Sequence, residues 1–214
     1  MNQETIWSHR YRDAGEQYLF GTEPNRFLAH RAALLQNGRT ALLVADGEGR
    51  NSVWLAEQGL NVTAVEISTV AVEKARRLAA GRSLNVRFVV ADMLAPNFAQ
   101  QWQATELPCT FDWVIGIFIQ FGGAEVRERQ FAAMKQLTQS GGRILLHGYT
   151  PKQLAYKTGG PSSIENLYTE EILRTAFADW EIEELVEYED DISEGLGHKG
   201  RSALIGLVAR KPGS

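Results

Sequence analysis

Asp46-Gly47-Glu48-Gly49-Arg50-Asn51 follows directly on the apolar run Leu42-Leu43-Val44-Ala45. A strand that pours into a glycine turn and then a helix builds a ligand seat. Glycine reaches turn angles that strain other residues, and its missing side chain lets a ligand approach the backbone. The helix that follows aims its free N–H groups into the same space. In an open α/β sheet, the carboxyl end of the first strand is where a nucleotide-like ligand sits. Glu66 ends the next apolar run, at the roughly 20-residue distance where a carboxylate meets a ribose. It can accept from both ribose hydroxyls, and its charge strengthens those bonds; otherwise it is a solvated charge at a strand end. Asp92-Met93 closes a third run. An acceptor there either takes the exocyclic amine of adenine, with the Met93 thioether on a ring face, or caps the following turn.

Two ligands fit this much: a nicotinamide dinucleotide and S-adenosylmethionine. Gly47-x-Gly49-x-x-Ser52 is a degenerate dinucleotide fingerprint, weak by itself. Asp46 and Glu48 flank Gly47, close to where a dinucleotide lays its doubly negative pyrophosphate. Like charges about 4 Å apart cost roughly 4 kcal/mol at an effective dielectric of about 20. S-adenosylmethionine has no phosphate and carries a sulfonium and an ammonium, so an acidic rim suits it. S-adenosyl-L-methionine is therefore the expected cofactor. The rival activities are an NAD(P)-dependent oxidoreductase and a non-catalytic regulator that binds S-adenosylmethionine.

Methyl transfer from a sulfonium needs alignment and exclusion of water more than it needs a base. No residue announces itself as one. His147 and Tyr149, ending Leu145-Leu146-His147-Gly148-Tyr149, are the candidates that could face the cleft; a lone histidine there is otherwise structural. For the acceptor side the candidates are Trp7, Tyr11, Tyr18 and Phe20, with Tyr149, Tyr156 and Arg201. Aromatic walls exclude water and face a cation favourably. The plainer alternative is that the amino-terminal aromatics pin a cap to the core. Lys157-Thr158-Gly159-Gly160-Pro161 reads as a mobile lid or a long surface connection. Arg26, Arg50, Arg127 and Arg129 suit an anionic acceptor or are ordinary surface, and Glu187, Glu189, Asp190 and Asp191 are expected to be exposed. His9, His30 and His198 have no partner at metal-binding spacing, so no metal is expected. Cys109, beside Pro108, looks incidental.

A regular frame must hold these residues. Strand-like runs at about 40–45, 61–67, 85–91, 111–118 and 143–148 alternate with amphipathic stretches. Val72, Ala75 and Leu78-Ala79 recur at helical spacing. FDWVIGIF at 111–118 is apolar on both faces, as a central parallel strand is. Gly141-Gly142 is expected to end the preceding helix before strand five. A helix at about 169–177 precedes strand-like segments at 180–189 and 202–209 with no helix between them. They predict an antiparallel pair turning around Gly195, Gly197 and Gly200. The expected fold is α/β, one domain over 1–214, with a cap segment at 1–38 and a core at 39–214.

At 214 residues and net charge −4, the chain has room for one such core and carries no general basic field. Nucleic acid is accordingly not an expected partner. No run approaches the ~20 apolar residues of a membrane span, and Met1-Asn2-Gln3-Glu4 does not read as a signal peptide. One cysteine gives no disulfide frame. The expectation is a cytoplasmic monomer or homodimer acting on a small molecule.

Taken together, the residues resemble the class I S-adenosylmethionine-dependent methyltransferases, and within them a group similar to the tellurite-resistance and thiopurine methyltransferases. The resemblance spans nearly the whole chain. It is carried by Trp7…Arg10-Tyr11…Tyr18-Leu19-Phe20-Gly21-Thr22-Glu23-Pro24-Asn25, the 45–51 turn, Glu66-Ile67-Ser68 and Ala91-Asp92-Met93. Phe111-Asp112, Ser140-Gly141-Gly142-Arg143 and Thr158-Gly159-Gly160-Pro161 complete it. It implies a Rossmann-like, doubly wound seven-stranded sheet, mostly parallel with an antiparallel last strand. It implies that Gly47 and Gly49 approach the methionine part of the cofactor, with Asp46 and Asn51 in the same turn. Glu66 would hold the ribose, Ile67 would lie against adenine, and Asp92 with Met93 would bracket the base. Ile117 and Phe118 would floor the methionine moiety, and the acceptor would be a thiol, a chalcogen oxyanion or similar. Leu43 stands where the commonest pattern has an acid, and Ala45 where it has glycine. Asp46, three residues past Leu43, is expected to take over part of the missing acid's work.

Overall fold

A computed structural model of the chain describes residues 3–36 and 38–213; Met1, Asn2, Asn37 and Ser214 lie outside them. The elements begin with α1 (Gln3–Asp13), α2 (Arg26–Ala29), α3 (Ala32–Leu35), β1 (Thr40–Val44), α4 (Arg50–Glu57), β2 (Asn61–Glu66), α5 (Thr69–Gly81) and β3 (Val86–Val90). There follow α6 (Phe98–Gln103), β4 (Phe111–Ile117), α7 (Ala124–Leu137), β5 (Thr138–Tyr149), α8 (Gln153–Tyr156), α9 (Glu170–Ala176), β6 (Glu181–Glu194) and β7 (His198–Arg210).

Period-two alternation explains why β1 sits in mid-sheet. Ala41 and Leu43 enter one apolar layer, with Leu55, Trp113 and Leu145, while Leu42 and Val44 enter the other, with Val114, Phe131 and Leu146. A strand buried on both faces needs neighbours on both edges, and β1 pairs in parallel with β2 and β4. The seven strands lie in the order β3-β2-β1-β4-β5-β7-β6. This is the Rossmann-like α/β sheet expected, with β7 antiparallel to both β5 and β6. Strand order reverses between β1 and β4, and the crevice above such a reversal is where ligands bind.

Helices flank both faces, and their starts are written locally. Ser68 caps α5 by accepting from Ala71 N, and Val72, Ala75 and Ala79 are the buried stripe. Near the amino terminus, Ser8 Oγ lies 2.7 Å from Ser68 Oγ. Lys74 Nζ, buried on α5, donates to the carbonyls of Tyr11 and Gln17. These bonds seat α1 over the carboxyl ends of the strands.

Two expectations about boundaries need correction. Gly141-Gly142 does not separate helix from strand: β5 begins at Thr138, and Gly141, at φ +73°, kinks the strand from within. Thr138 is buried and pairs with Phe111, and the register shifts before Trp113 meets Arg143. The final hairpin is also longer than its apolar runs. Its acids are not a free solvated stretch: Asp190 pairs with Arg26, Glu189 with Lys152 and Arg201, and Asp191 with Arg201. Glu187 and Asp191 are exposed as expected, whereas Glu189 and Asp190 are half-buried, and the paired strand runs on to Glu194. Gly200 lies inside β7, so the turn itself is 195–197. Among the described residues no helix is long and apolar enough to cross a membrane.

Candidate active site

A cavity of about 520 Å³ opens at the carboxyl ends of β1, β2 and β4, roofed by α1 and by Gly160-Pro161-Ser162. One half is lined by acids. Asp46 N donates to Val65 O, and Gly47, at φ +66°, turns its N–H onto Glu66 Oε2 at 2.9 Å. Ser68 N donates to Glu66 Oε1 at 2.9 Å. Burial nonetheless pushes the Glu66 carboxyl up to about 7, against the pull of those N–H groups. Asp46 Oδ2 accepts from Ser52 Oγ, while Oδ1 is buried without a hydrogen-bond partner among the described residues. Burial raises Asp46 to about 6. Asp92 is exposed at the rim and accepts from Leu94 N. Asn51, Ile67, Met93, Ile117 and Phe118 also line the cavity, and Phe118 holds a left-handed φ of +56°.

The other half is aromatic. His198, at the start of β7, is held between Phe20 and Phe118, with ring centroids 4.6 and 4.5 Å away. Its Nδ1 lies 2.6 Å from Tyr149 Oη. Burial, then the charges of Arg50 and Arg10, push His198 down to about 3. Burial pushes the Tyr149 phenol well up. Trp7 stacks on Tyr11 at 5.8 Å and meets Phe121 edge-on at 5.8 Å, with the Arg10 guanidinium 4.5 Å above its ring. Gln120 fixes the floor of this half by bonding both the N–H and the carbonyl of Tyr149.

Several residues singled out from sequence stand elsewhere. Gly49, at φ +92°, does not line the cavity; a Cβ there would lie 2.7 Å from Ala75 Cβ, so the glycine lets α4 approach α5. Glu48 is no part of an acidic rim. It is buried, 2.8 Å from Lys74 Nζ, and accepts from Leu19 N at 2.7 Å. His147 does not face the cleft: it is buried one layer down, stacked on Phe27 at 4.8 Å and 2.9 Å from Tyr188 Oη, and burial lowers it to about 3. Tyr18 donates to Lys74 O, outside the cavity. Arg201 and Tyr156 gather on Glu189, likewise outside it. Trp7, Tyr11, Phe20 and Tyr149 do line it. Sequence reasoning passed over Gln120 and Phe121, which no local spacing signals, weighed His198 only as a metal ligand, and gave Arg10 no role. Arg50, offered as suiting an anionic acceptor or as ordinary surface, does line the cavity. Among the described residues no group of three His, Cys, Asp or Glu could hold a metal.

Residues 41–142 match a family model described as a methyltransferase domain. This stretch is therefore a methyltransferase domain. No curated protein matches the sequence. Solved structures share the fold at low identity. One comes from work on the conversion of a disulfide bond into a thioacetal group during echinomycin biosynthesis: 18% identical, TM-score 0.79, covering 99% of this chain and 93% of that one. TehB from Haemophilus influenzae is 20% identical with TM-score 0.70, covering 97% of this chain and 66% of its own. Magnesium protoporphyrin IX methyltransferase from Synechocystis PCC 6803, solved with bound S-adenosylmethionine, is 16% identical with TM-score 0.66, covering 99% and 98%.

Proposed function

We propose that the chain transfers a methyl group from S-adenosylmethionine to a small acceptor that is already nucleophilic near neutral pH, a thiol or a chalcogen oxyanion. The observation that carries this reading is the division of the cavity. Carboxyls of Asp46, Glu66 and Asp92 line one half, and the rings of Trp7, Phe20, Phe118, Phe121 and Tyr149 enclose the other. The acidic half fits the cofactor's donors. Asp46 Oδ1 has a free lone pair for an ammonium. The Glu66 oxygens each take one backbone N–H and keep capacity for two hydroxyls. Gly47 and Asn51 back the amino-acid end, Ile67, Asp92 and Met93 the base, and Ile117 and Phe118 the floor. The same carboxyls, held close together, would repel a pyrophosphate, which disfavours the dinucleotide alternative.

Bound there, S-adenosylmethionine supplies an activated methyl on a cationic sulfur. The chain aligns the acceptor and keeps water away, and well-oriented placement removes about 7–11 kcal/mol of barrier. Aromatic faces at the mouth suit that task. A base poised near neutrality is not offered by the residues around the acceptor half: His198 at about 3 stays neutral but is weakly basic, and the Tyr149 phenol stays protonated. An acceptor bringing its own lone pair fits such a site. We place the protein in the cytoplasm as one domain over 1–214, with a cap segment at 1–38, in a monomer or homodimer.

Incubation with S-adenosylmethionine and a panel of thiols, selenite and tellurite tests the reading through S-adenosylhomocysteine release. Turnover of at least one acceptor is expected. Tight cofactor binding with no turnover across the panel favours the regulator instead.

A further inference from the structure

Arg50 is the buried cation that methyl transfer alone leaves without a task. It opens α4, is 7% exposed, and lines the cavity. Its Nη2 donates to Glu194 Oε2 at 2.7 Å, and Glu194 Oε1 accepts from Asn25 Nδ2 at 2.9 Å. That carboxylate balances the charge but leaves the fork half used. Nη1 is buried with no hydrogen-bond partner among the described residues. A buried charged donor left unsatisfied is costly, and each such group in a native fold calls for an explanation.

Its surroundings say where a partner would stand. The cavity's acids sit at the ends of β1, β2 and β3, whereas Arg50 reaches from α4 toward the tip of β6. Its charge acts on Tyr149 and His198 and also on Asp46, and Arg10 acts on His198 as well. Arg50 therefore stands where the two halves meet, tied to the aromatic side through Glu194.

We propose that Arg50 Nη1 seats an anionic oxygen group of the methyl acceptor, a carboxylate or its equivalent, separate from the atom that receives the methyl. A guanidinium on the reacting atom would hold its lone pair and blunt it, so the arginine suits the far end of the acceptor. Planar forks favour carboxylates, which they bind through directed N–H groups. The proposal rests on the methyltransferase reading above and narrows its acceptor class.

Protein loaded with S-adenosylhomocysteine is titrated with 3-mercaptopropionate and with its methyl ester, as wild type and as Arg50→Lys. Lysine keeps a cation beside Glu194 but has no second fork nitrogen, so the buried pair is not orphaned. The acid is expected to bind wild type roughly tenfold tighter than the ester, as a charge-assisted bond allows. In Arg50→Lys the two should bind alike, with S-adenosylhomocysteine affinity within about twofold of wild type. Equal binding of acid and ester to wild type, or a preference that survives Arg50→Lys, overturns the proposal. A tenfold loss of S-adenosylhomocysteine affinity in Arg50→Lys also overturns it, by giving Nη1 to the cofactor's own carboxylate. If wild type does not bind S-adenosylhomocysteine at all, the methyltransferase reading itself fails and this proposal with it.

Discussion

The two halves of the cavity are built on different length scales. In the acidic half, Glu66 meets Gly47 and Ser68 across 19 and 2 residues, and Asp46 meets Ser52 across 6. Each of those ties closes within one strand–turn–helix unit or between neighbouring strands. In the aromatic half, Tyr149 meets His198 across 49 residues, Arg50 meets Glu194 across 144, and Asn25 meets Glu194 across 169. The backbone of Leu19 accepts from Leu196 and Gly197, locking the amino-terminal segment to the hairpin tip. The acidic half is held by local grammar; the aromatic half exists only once distant ends of the chain have met.

Lys74 joins the halves, and its loss should have the largest effect. Lys74→Met leaves Glu48 buried without its cation and frees the carbonyls of Tyr11 and Gln17. A stability loss of about 3–5 kcal/mol is expected in urea denaturation. A loss under about 1 kcal/mol would mean that the roof does not depend on the turn beneath it.

Gly49→Ala should cost about 1–3 kcal/mol, because the new methyl meets Ala75 at a left-handed φ. Its effect on S-adenosylhomocysteine affinity should be the smaller of the two. A variant of normal stability that has lost the cofactor would return Gly49 to the binding surface.

Glu66→Gln should weaken S-adenosylmethionine roughly tenfold by calorimetry, the scale of one charge-assisted hydrogen bond. The same group sets a pH dependence. Asp46 and Glu66 titrate at about 6 and 7 in the fold, above their ordinary values of 3.8 and 4.5. Between those limits the folded state holds more protons than the unfolded one, so these groups make the free protein less stable as pH rises. Affinity for the cationic cofactor should move oppositely, rising roughly tenfold between pH 6 and 8 as Glu66 ionises. Glu66→Gln should flatten that rise; a profile unchanged by the variant would remove Glu66 from the cofactor.

Tyr149→Phe should be the mildest, about 1 kcal/mol from the lost bond to His198. Slower turnover with unchanged S-adenosylhomocysteine affinity would keep Tyr149 in the acceptor half, whereas weaker cofactor binding would blur the division.

What could be read from sequence follows the same split. The strand rhythm, the antiparallel end and the 45–51 turn are local patterns, and they gave the sheet. Glu48 and Asp46 look alike beside Gly47, yet one side chain turns to Lys74 and the other to the cavity, a choice made by α5 and not by the turn. Gly49 carries the same lesson, since Ala75 is what it must clear. His147 occupies the strand end that periodicity marks, but Phe27 from α2 covers it. His198 could not be singled out because its partners, Phe20, Phe118 and Tyr149, come from three separate segments.

Parallel calorimetric titrations with S-adenosylhomocysteine and NADH test most directly whether the acids form a phosphate-free adenosyl seat. One equivalent of S-adenosylhomocysteine is expected to bind, with no heat from NADH. Saturable binding of NADH with none of S-adenosylhomocysteine would contradict it.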